Sequence, residues 1–543
     1  MKKSSKWLGV FFGFLLIFFG CQPQEKADLV IKNGKVFTVN EESLWTQAVA
    51  VKGETILTVG SDEDVEKYIG DSTQVLDVEG KLVIPGLIDS HVHFTSGGQR
   101  LAMLRLRGVK SIEEIQEKIA ERIKELPEGA PVMAIGSIRS TTLFPGPLGL
   151  ATKDILDPVS PNNPVVIRRS GGHAVLLNSV ALKQSGITKE TETPYGGEIV
   201  RDPKTGEPTG VLKEAAQRLS KIQIQSTMQE DIERALEYVK PMALTGVVTH
   251  ADLEKIEVYK KLNEEGKLTL RINATLPYRG IDEYIEKGIK LNQGNNMVRL
   301  GLIKIFIDGT LGVRSALLYE DFTEEPGNRG LAQYDEQEFY DMVEKCHVNG
   351  YQIGVHAIGD KGVNWVLNAV ERAQDKHGKK GLRHRVEHNT LNLIEDTKRF
   401  KPLGVIASMQ PTISGNPESR KGVLGEERAK RSDIWRTLLE NEAMLCWGTD
   451  WPVVTLDPML TIRRMIIRNP EQRLTMEEAI KYYTYGSAYG TFEEDIKGTL
   501  EKGKLADIVV LSKDLFAIDP EEIVKTEVEY KILGGKIVYQ KGA

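Results

Sequence analysis

Both ends of the chain alternate apolar and polar positions over short stretches. These stretches cover residues 28–40, 46–61, 73–86, 497–514 and 528–542. Asn-Gly, Lys-Gly and Glu-Gly pairs interrupt the first three, and Gly534-Gly535 interrupts the last. Because alternation with period two favours half-buried strands and such pairs favour tight turns, we predict antiparallel strands and hairpins. Strand sets at both termini predict one small β-sandwich, made of residues 22–84 and 491–543.

Between the two ends, short apolar strands alternate with amphipathic segments. The strand-like stretches lie at residues 84–94, 245–252, 270–277, 299–309, 351–360, 384–391, 404–411 and 444–452. Stretches with helical periodicity lie between most of them, at residues 228–241, 255–265, 336–348, 360–375 and 432–441. Eight strands that alternate with helices predict an α/β fold, a (β/α)8 TIM-like barrel over residues 85–490. We interpret residues 95–230, after the first strand, as an insertion over the barrel mouth.

The N-terminus has the pattern of an export signal. Three lysines within the first six residues precede an uncharged stretch, residues 7–20. This stretch is too short to cross about 30 Å of hydrocarbon as a helix. Cys21 follows at once and resembles the cysteine of a bacterial lipobox, so we expect a signal peptide over residues 1–20 and a lipidated Cys21. The protein would then be exported and membrane-anchored, facing the periplasm or the cell exterior; a plain signal peptide with an incidental cysteine is the alternative.

Composition excludes several classes of protein. A hydrophobic share of 40% and a charged share of 27% are ordinary for a globular chain with a sizeable core. Three cysteines in 543 residues are too few for a disulfide scaffold or a four-cysteine zinc module. The net charge of −6, without a basic block, argues against nucleic-acid binding. No glycine-rich nucleotide-binding motif is present, and the sequence leaves open whether the chain is a monomer or a homo-oligomer.

Ionisable side chains recur near the ends of five predicted barrel strands. His91 and His93 are one residue apart in the first strand, so period-two geometry points both into the barrel. The later strands contribute Lys304, His356, His388 and Asp450. Each alone has a structural alternative: a hydrogen-bonded strand-end histidine, a snorkelling lysine or a capping aspartate. Their recurrence where barrel enzymes place catalysis favours a functional site, and imidazole is the commonest ligand of zinc-like ions.

These residues and their surroundings resemble the amidohydrolase superfamily. In finer pattern the chain is similar to the amidohydrolase-3 branch, which includes N-substituted formamide deformylases. The matching segments extend from about residue 28 to 540 and are PGLIDSHVHF, SGGHAVLLNSVAL, GGEIVRDPKTGEPTGVLKEAA, IKIFIDGTLGVRSA, VHAIGD, RVEH, GTDWPV and GTLEKGKLADIVVL. Their order and spacing are specific for the family and only weakly specific for a substrate.

The resemblance implies a hydrolase that uses one or two divalent metal ions, with zinc the expected metal. His91 and His93 would hold one ion, and His356 and His388 a second. Lys304, carboxylated by CO2, would bridge the two ions if the centre is binuclear. Asp450 would act as general acid/base between water and the leaving nitrogen. The expected substrate is a small molecule with a non-peptide C–N bond, in an amide, formamide or cyclic amide.

Weaker candidates for substrate binding are His173, His250, Asp308 and Arg314. His173 lies in the insertion and either faces the substrate or bonds loop backbone. His250 is a candidate for the pocket wall, and Asp308 and Arg314 either bind substrate or shape their loop. Alternative functions are a deaminase or ester hydrolase on the same scaffold, or a surface lipoprotein that binds a metal or ligand without turnover. The retention of both Lys304 and Asp450 favours an enzyme.

Overall fold

The computed structural model describes residues 25–106, 108–136, 151–169, 174–414, 417–468 and 470–542. The predicted signal peptide, Cys21 and His173 lie outside these residues. Among the described residues, no helix has the length and apolar character needed to cross a membrane.

An eight-stranded parallel sheet forms the predicted barrel, with its strands in chain order. Strands β1 to β8 are Leu87–Val92, Leu244–His250, Arg271–Pro277, Val298–Phe306, Ile353–Ala357, Arg385–His388, Ile406–Met409 and Met444–Trp447. All neighbouring pairs from β1 to β8 are parallel. The segment after β8 returns to β1, where the Asp450 N–H donates to the His91 carbonyl at 2.7 Å. The predicted fold class is therefore confirmed.

Helices surround the barrel. Helices α1 to α13 are Phe94–Leu101, Met228–Val239, Leu253–Glu264, Ile281–Glu286, Glu336–Val348, Asp360–His377, Ile394–Thr397, Phe400–Leu403, Pro417–Leu424, Glu426–Lys430, Trp435–Glu440, Pro458–Ile467 and Met476–Tyr489. Helix α2 begins at a capping box in which Thr227 and Glu230 bond each other's backbone N–H. Its buried apolar residues, Ile232, Ala235, Leu236 and Val239, follow helical spacing and pack into the barrel core.

Two further sheets form from the ends of the chain, and the six-stranded one combines strands from both termini. The four-stranded sheet has the order Thr55–Gly60, Ala48–Lys52, Leu29–Lys32 and Gln74–Asp77. The six-stranded sheet has the order Lys536–Gln540, Val528–Leu533, Ile508–Leu511, Leu82–Pro85, Lys35–Phe37 and Trp45–Thr46. One hydrophobic core joins them, with Ile31 and Val36 from the N-terminal part and Val510 and Ile532 from the C-terminal part. This is the predicted β-sandwich.

Two of the predicted hairpins are wrong. Asn33-Gly34 and Glu79-Gly80 each connect a strand of the four-stranded sheet to a strand of the six-stranded sheet. Lys52-Gly53 and Gly534-Gly535 do close hairpins. A turn dipeptide reverses the chain locally, but the shared core decides which strand supplies the backbone partners.

The C-terminal stretch 497–514 contains one strand, Ile508–Leu511, where the alternation predicted a strand pair. Before this strand, Leu500 and Ala506 still pack into the sandwich core. Their backbone groups bond the N-terminal part instead, since the Leu500 N–H donates to the Thr38 carbonyl and the Ala506 N–H to the Glu54 carbonyl.

Strands from the described part of the region between β1 and β2 form a separate six-stranded sheet. Its order is Gly197–Arg201, Pro208–Glu214, Ala174–Leu177, Val165–Arg169, Val132–Gly136 and Leu104–Leu106. Two helices in this region are Ile112–Lys124 and Ser179–Ser185, and a short helix in the N-terminal part is Asp62–Glu66. Met133 and Arg168 of this sheet share a cavity with Pro452, which follows β8. Part of the region thus lies at the barrel mouth, while the proposed domain boundaries stay predictions.

The sandwich contacts the barrel at the amino ends of the barrel strands. Arg271, the first residue of β3, donates from Nε and Nη2 to the two carboxylate oxygens of Asp507 at 2.6 and 2.7 Å. The Gly534 N–H donates to the same carboxylate at 2.9 Å. Both charged side chains are almost fully buried. The carboxyl ends of the strands are left facing the other side, where the ionisable residues gather.

Candidate metal centre

Three histidines come together at the carboxyl ends of β1 and β2. One ring nitrogen of each of His91, His93 and His250 lies within 4.8 Å of the others. The ring centroids of His93 and His250 are 4.4 Å apart, and those of His91 and His250 are 5.2 Å apart. Facing imidazole nitrogens at this separation are a donor set that suits a divalent transition-metal ion.

A second group shares His91 with the first. His91, His388 and Asp450 offer ligand atoms within 4.8 Å of one another. Asp450 Oδ1 lies 3.1 Å from His93 Nε2 and 3.6 Å from His91 Nε2. His356 belongs to neither group, although its ring centroid is 4.4 Å from that of His388. The grouping therefore differs from the predicted pairs, His91 with His93 and His356 with His388.

Polar neighbours orient four of the rings. His388 Nδ1 lies 2.7 Å from Gln410 Oε1, and His250 Nδ1 lies 2.9 Å from Thr275 Oγ1. His356 Nε2 lies 3.1 Å from the Gly309 carbonyl, and His91 Nδ1 lies 2.7 Å from Glu387 Oε2. The oxygens of Gln410, Gly309 and Glu387 can only accept, so the bonded nitrogens of His388, His356 and His91 carry the proton. The other nitrogen of each of these rings keeps a lone pair for a metal ion.

The carboxylate behind His91 is buried and belongs to a charged pair. Arg385 Nε lies 2.8 Å from Glu387 Oε1, and Ser408 Oγ donates to Glu387 Oε2 at 2.6 Å. Burial alone would raise the pKa of Glu387, but the positive charges of Arg385 and Lys304 hold that pKa below its usual value. The carboxylate therefore stays charged and fixes the orientation of the His91 ring.

Backbone conformation also turns side chains into the centre. In a regular strand, Glu387 and His388 would point to opposite faces. A φ of +73° at His388 and +44° at Asn389 breaks this alternation at the end of β6. Asp450 also has a positive φ, +61°. Such conformations are costly for residues other than glycine and are concentrated at functional sites.

Lys304 lies among these residues without a hydrogen-bond partner. Its side chain is 4% exposed, its Nζ makes no hydrogen bond to any described residue, and Nζ lies 4.8 Å from the centre of the Phe306 ring. Burial lowers the pKa of Lys304 to about 8, against the opposing pull of the Glu387 and Asp450 charges. Burying an amine among imidazoles without a hydrogen-bond partner costs free energy. This environment suits a lysine that gains a partner when the site binds metal.

Burial keeps four of the imidazoles neutral at physiological pH. The pKa of His91, His250 and His388 is lowered well below the usual range, in each case chiefly by burial. For His356 burial and the charge of Lys304 lower the pKa to about 4. Because metal ions bind the neutral form, the rings need not lose a proton before binding.

Comparison with known proteins identifies the family. The sequence profile of the amidohydrolase family matches residues 74–539. The chain belongs to the amidohydrolase family.

Relatives and solved structures agree with this assignment. Protein LONG AFTER FAR-RED 3 from Arabidopsis thaliana is 34% identical over 94% of this chain and 92% of its own length. N-substituted formamide deformylase from Arthrobacter pascens is 26% identical over 95% of this chain and 98% of its own length. The crystal structure of an uncharacterized metal-dependent hydrolase from Pyrococcus furiosus has a TM-score of 0.76 and 28% identity, covering 90% of this chain and 99% of that one. The chain is therefore a member of a metal-dependent hydrolase superfamily.

Two cavities flank the centre of this amidohydrolase. One, of about 430 Å³, is lined by His93, His250 and Lys304 together with the aromatic rings of Tyr278 and Phe306. The other, of about 400 Å³, is lined by residues that include His356, His388, Gln410, Arg420 and Asp450. A substrate held in either cavity would lie against the candidate ligands.

The structure places the weaker sequence candidates in different environments. His250, predicted at the pocket wall, lies among the candidate metal ligands as well as along the pocket. Asp308 is buried and accepts the N–H groups of Leu317, Ile358 and Gly359, which matches its loop-shaping alternative. Arg314 bonds the Leu311 carbonyl and the Glu324 carboxylate, again within its loop.

Sequence reasoning missed the residues that orient the rings. Glu387, Gln410 and Thr275 were given no role, although each directly contacts a candidate ligand. Glu387 had a detectable signal, because an acid and Arg385 two residues earlier share one face of a barrel strand and must pair when buried. Thr275 and Gln410 had none, since their partners lie on other strands.

Proposed function

We propose that this amidohydrolase hydrolyses a non-peptide C–N bond of a small amide, formamide or cyclic amide. The observation that carries the proposal is the convergence, at one end of the barrel, of two candidate ligand groups, an unpaired buried lysine and a carboxylate. Neutral nitrogen donors with a carboxylate suit zinc or a similar ion, and such an ion acidifies water and polarises a carbonyl when bound.

The ligand atoms of the chain divide between two positions in this proposal. His91, His93 and His250 would hold one ion, with the His91 ring oriented by Glu387 and the His250 ring by Thr275. His388 and His356 would hold a second in a binuclear centre, oriented by Gln410 and the Gly309 carbonyl.

Lys304 would complete a binuclear centre as a carbamate, in which the neutral amine bonds the carbon of CO2 and one N–H proton passes to solvent. Carboxylation by CO2 requires the neutral amine, and a pKa of about 8 leaves a usable neutral fraction near physiological pH. The resulting anion also removes the positive charge that Lys304 otherwise places beside the buried imidazoles.

Asp450 is the proton carrier. Its Oδ1 lies 3.1 Å from His93 Nε2, and its side chain lines the cavity that also contains His388. In that position the carboxylate accepts a proton from water as the water oxygen bonds to the carbonyl carbon, and it returns the proton to the nitrogen as the C–N bond breaks. The amine leaves neutral, and the acyl part leaves as a carboxylic acid.

The choice of an amide substrate draws support from a relative. N-substituted formamide deformylase aligns over nearly the whole chain, and its name states a formamide substrate. A deaminase or ester hydrolase remains the alternative within enzymes, because the same groups can serve attack on an amidine or ester carbon.

Metal content and turnover test this function together. The chain from residue 22 onward, purified without chelator, should contain about two zinc-like ions per molecule if Lys304 is carboxylated. It should contain about one ion per molecule if Lys304 is not carboxylated. Asp450→Asn should keep part of that metal and lose activity on a panel of amides and formamides by about 10²-fold or more. Elemental analysis and turnover assays measure both; a chain without metal after reconstitution with zinc and bicarbonate would contradict the proposal.

We further propose that the mature protein is a lipoprotein anchored through Cys21. The support is the position of Cys21 directly after an uncharged stretch that follows three lysines. Cys21→Ser should move the protein from the membrane fraction to the soluble exported fraction, measured by fractionation and immunoblotting. An unchanged membrane fraction would rule out lipid anchoring.

A further inference from the structure

A third cavity lies between the barrel mouth and the sheet inserted after β1. Its volume is about 480 Å³. Arg100, Arg168, Gln99, Gln223 and Ser96 supply its polar lining. Among the lining residues that the structure describes there is no acid. Two arginines that share a cavity without a carboxylate leave a positive site there.

No described residue forms an ion pair with either arginine. Arg100 Nη1 donates to the Pro452 carbonyl at 2.6 Å, and no ion pair holds it within the described residues. Arg168, exposed near the end of the strand Val165–Arg169, has no ion pair or side-chain hydrogen bond there. Burial and the positive charge of Arg168 lower the pKa of Arg100, as expected for two like charges facing each other. Several guanidinium N–H groups therefore stay available for an anion.

This cavity shares a lining residue with the cavity at the metal centre. Ser96 lines both this cavity and the one that contains His93 and Lys304. Pro452, which Arg100 bonds, follows Asp450 by two residues. A group bound by the arginines would thus belong to a molecule whose other end can reach the candidate ligands.

We propose that this cavity is a subsite for a carboxylate of the substrate, so that the enzyme acts on amides that carry a separate carboxylate group. The planar guanidinium matches a carboxylate through paired N–H···O bonds. Gln99, Gln223 and Ser96 add neutral donors around it without opposing the charge. The proposal rests on the proposed amidohydrolase function and narrows its substrate class.

The main test compares two substrates and two variants. The two substrates are the same formamide or acyl amide, and they differ only in the separate group. In one substrate this group is a carboxylate, and in the other it is the isosteric primary carboxamide. Arg168→Gln should lower kcat/KM for the carboxylate member about 10- to 100-fold and leave the carboxamide member unchanged. Arg169→Gln is the matched control, because Arg169 is the next residue of the same strand and does not line the cavity. Equal effects on both substrates, or no effect of Arg168→Gln, would overturn the subsite.

A binding measurement separates failure of the subsite from failure of the function. Glutarate and glutaramide are titrated calorimetrically into the metal-loaded chain, with circular dichroism to verify that each variant is folded. Glutarate should bind wild type and Arg169→Gln alike and bind Arg168→Gln about 10-fold more weakly, with glutaramide weak in all three. This outcome with no amide turnover would retain the anion subsite and reject the amidohydrolase reaction. Indistinguishable glutarate affinities would reject the subsite whatever the turnover, and inorganic phosphate bound in preference to glutarate would assign the arginines to phosphate instead.

Discussion

At His91, one ring nitrogen is held by a buried carboxylate and the other lies between two candidate ligand groups. Glu387 Oε2 accepts the Nδ1 proton at 2.7 Å, and His91 Nε2 lies 3.6 Å from Asp450 Oδ1. A carboxylate behind a ligating histidine fixes its tautomer and raises its basicity. Metal affinity should therefore depend on a residue that itself has no contact with the ion.

Glu387→Gln tests this dependence. The amide can still accept the His91 proton but loses the negative charge, so we expect metal affinity to fall about 10- to 100-fold. It also leaves Arg385 without its buried charged partner, at a cost of about 3 to 5 kcal/mol in the free energy of unfolding. Chelator competition measures the affinity. Ser408→Ala is the control, since Ser408 bonds the same carboxylate but leaves its charge intact; an equal loss of metal in both variants would contradict the role of the charge.

At the scale of elements, a buried pair of histidines joins α5 to the amino ends of β5 and β6. The Ile353 N–H donates to His384 Nδ1 at 3.1 Å, so the proton of His384 is on Nε2. That nitrogen lies 3.2 Å from His347 Nδ1, and His347 Nε2 then donates to the Gly378 carbonyl at 3.0 Å. The backbone donor thus fixes both tautomers and keeps both rings neutral. The His384 side chain is only 1% exposed.

Acid should destabilise this junction. Burial lowers the pKa of His384 to about 3, whereas an unfolded histidine has a pKa of about 6.5. Between these values the unfolded state binds more protons, so this stability is complete above about pH 6.5 and is lost as pH falls toward 3. The loss is about 1.4 kcal/mol per pH unit, or about 2 kcal/mol at pH 5.

His384→Asn isolates the effect, because its Oδ1 can still accept the Ile353 N–H but does not titrate. Urea unfolding from pH 7.5 to 5 should show a shallower pH dependence in this variant than in wild type, although the variant is less stable at pH 7.5. Identical slopes in the two proteins would show that the His384 proton is not linked to folding.

At the scale of the whole molecule, the sandwich and the barrel are joined by a buried ion pair. Arg271 on β3 and Asp507 in the C-terminal part bond through two N–H···O contacts. Asp507 also accepts the Gly534 N–H, which lies in the hairpin between two sandwich strands. The last residues of the chain thus help to hold the third barrel strand in place.

Asp507→Ala should destabilise the whole chain. It leaves the Arg271 guanidinium buried without a counter-charge, which costs about 3 to 5 kcal/mol in the free energy of unfolding. Glu283→Ala is the control, because its pair with Lys287 is exposed on α4 and contributes about 0.5 kcal/mol or less. Urea midpoints measure both. A midpoint shift no larger than that of the control would show that the buried pair does not secure the two parts to each other.

Local patterns determined much of this architecture. Alternation with period two and helical spacing predicted the eight barrel strands and the helices between them, because burial of one face follows directly from the period of the backbone. His91, His93, Lys304, His388 and Asp450 could be placed near the strand ends for the same reason, and these side chains do gather at one end of the barrel.

Tertiary structure alone decided the partners. Glu387 contacts His91 across the barrel from β6 to β1, and the positive φ at His388 turns this ring inward against the strand alternation. The Asn33-Gly34 turn connects strands of two different sheets. His250 lies among the candidate ligands, and its ring contacts Thr275 on the neighbouring strand. These contacts join residues far apart in the chain, so no local period encodes them. They follow from the closure of the barrel and from the cost of leaving a buried polar group without a partner.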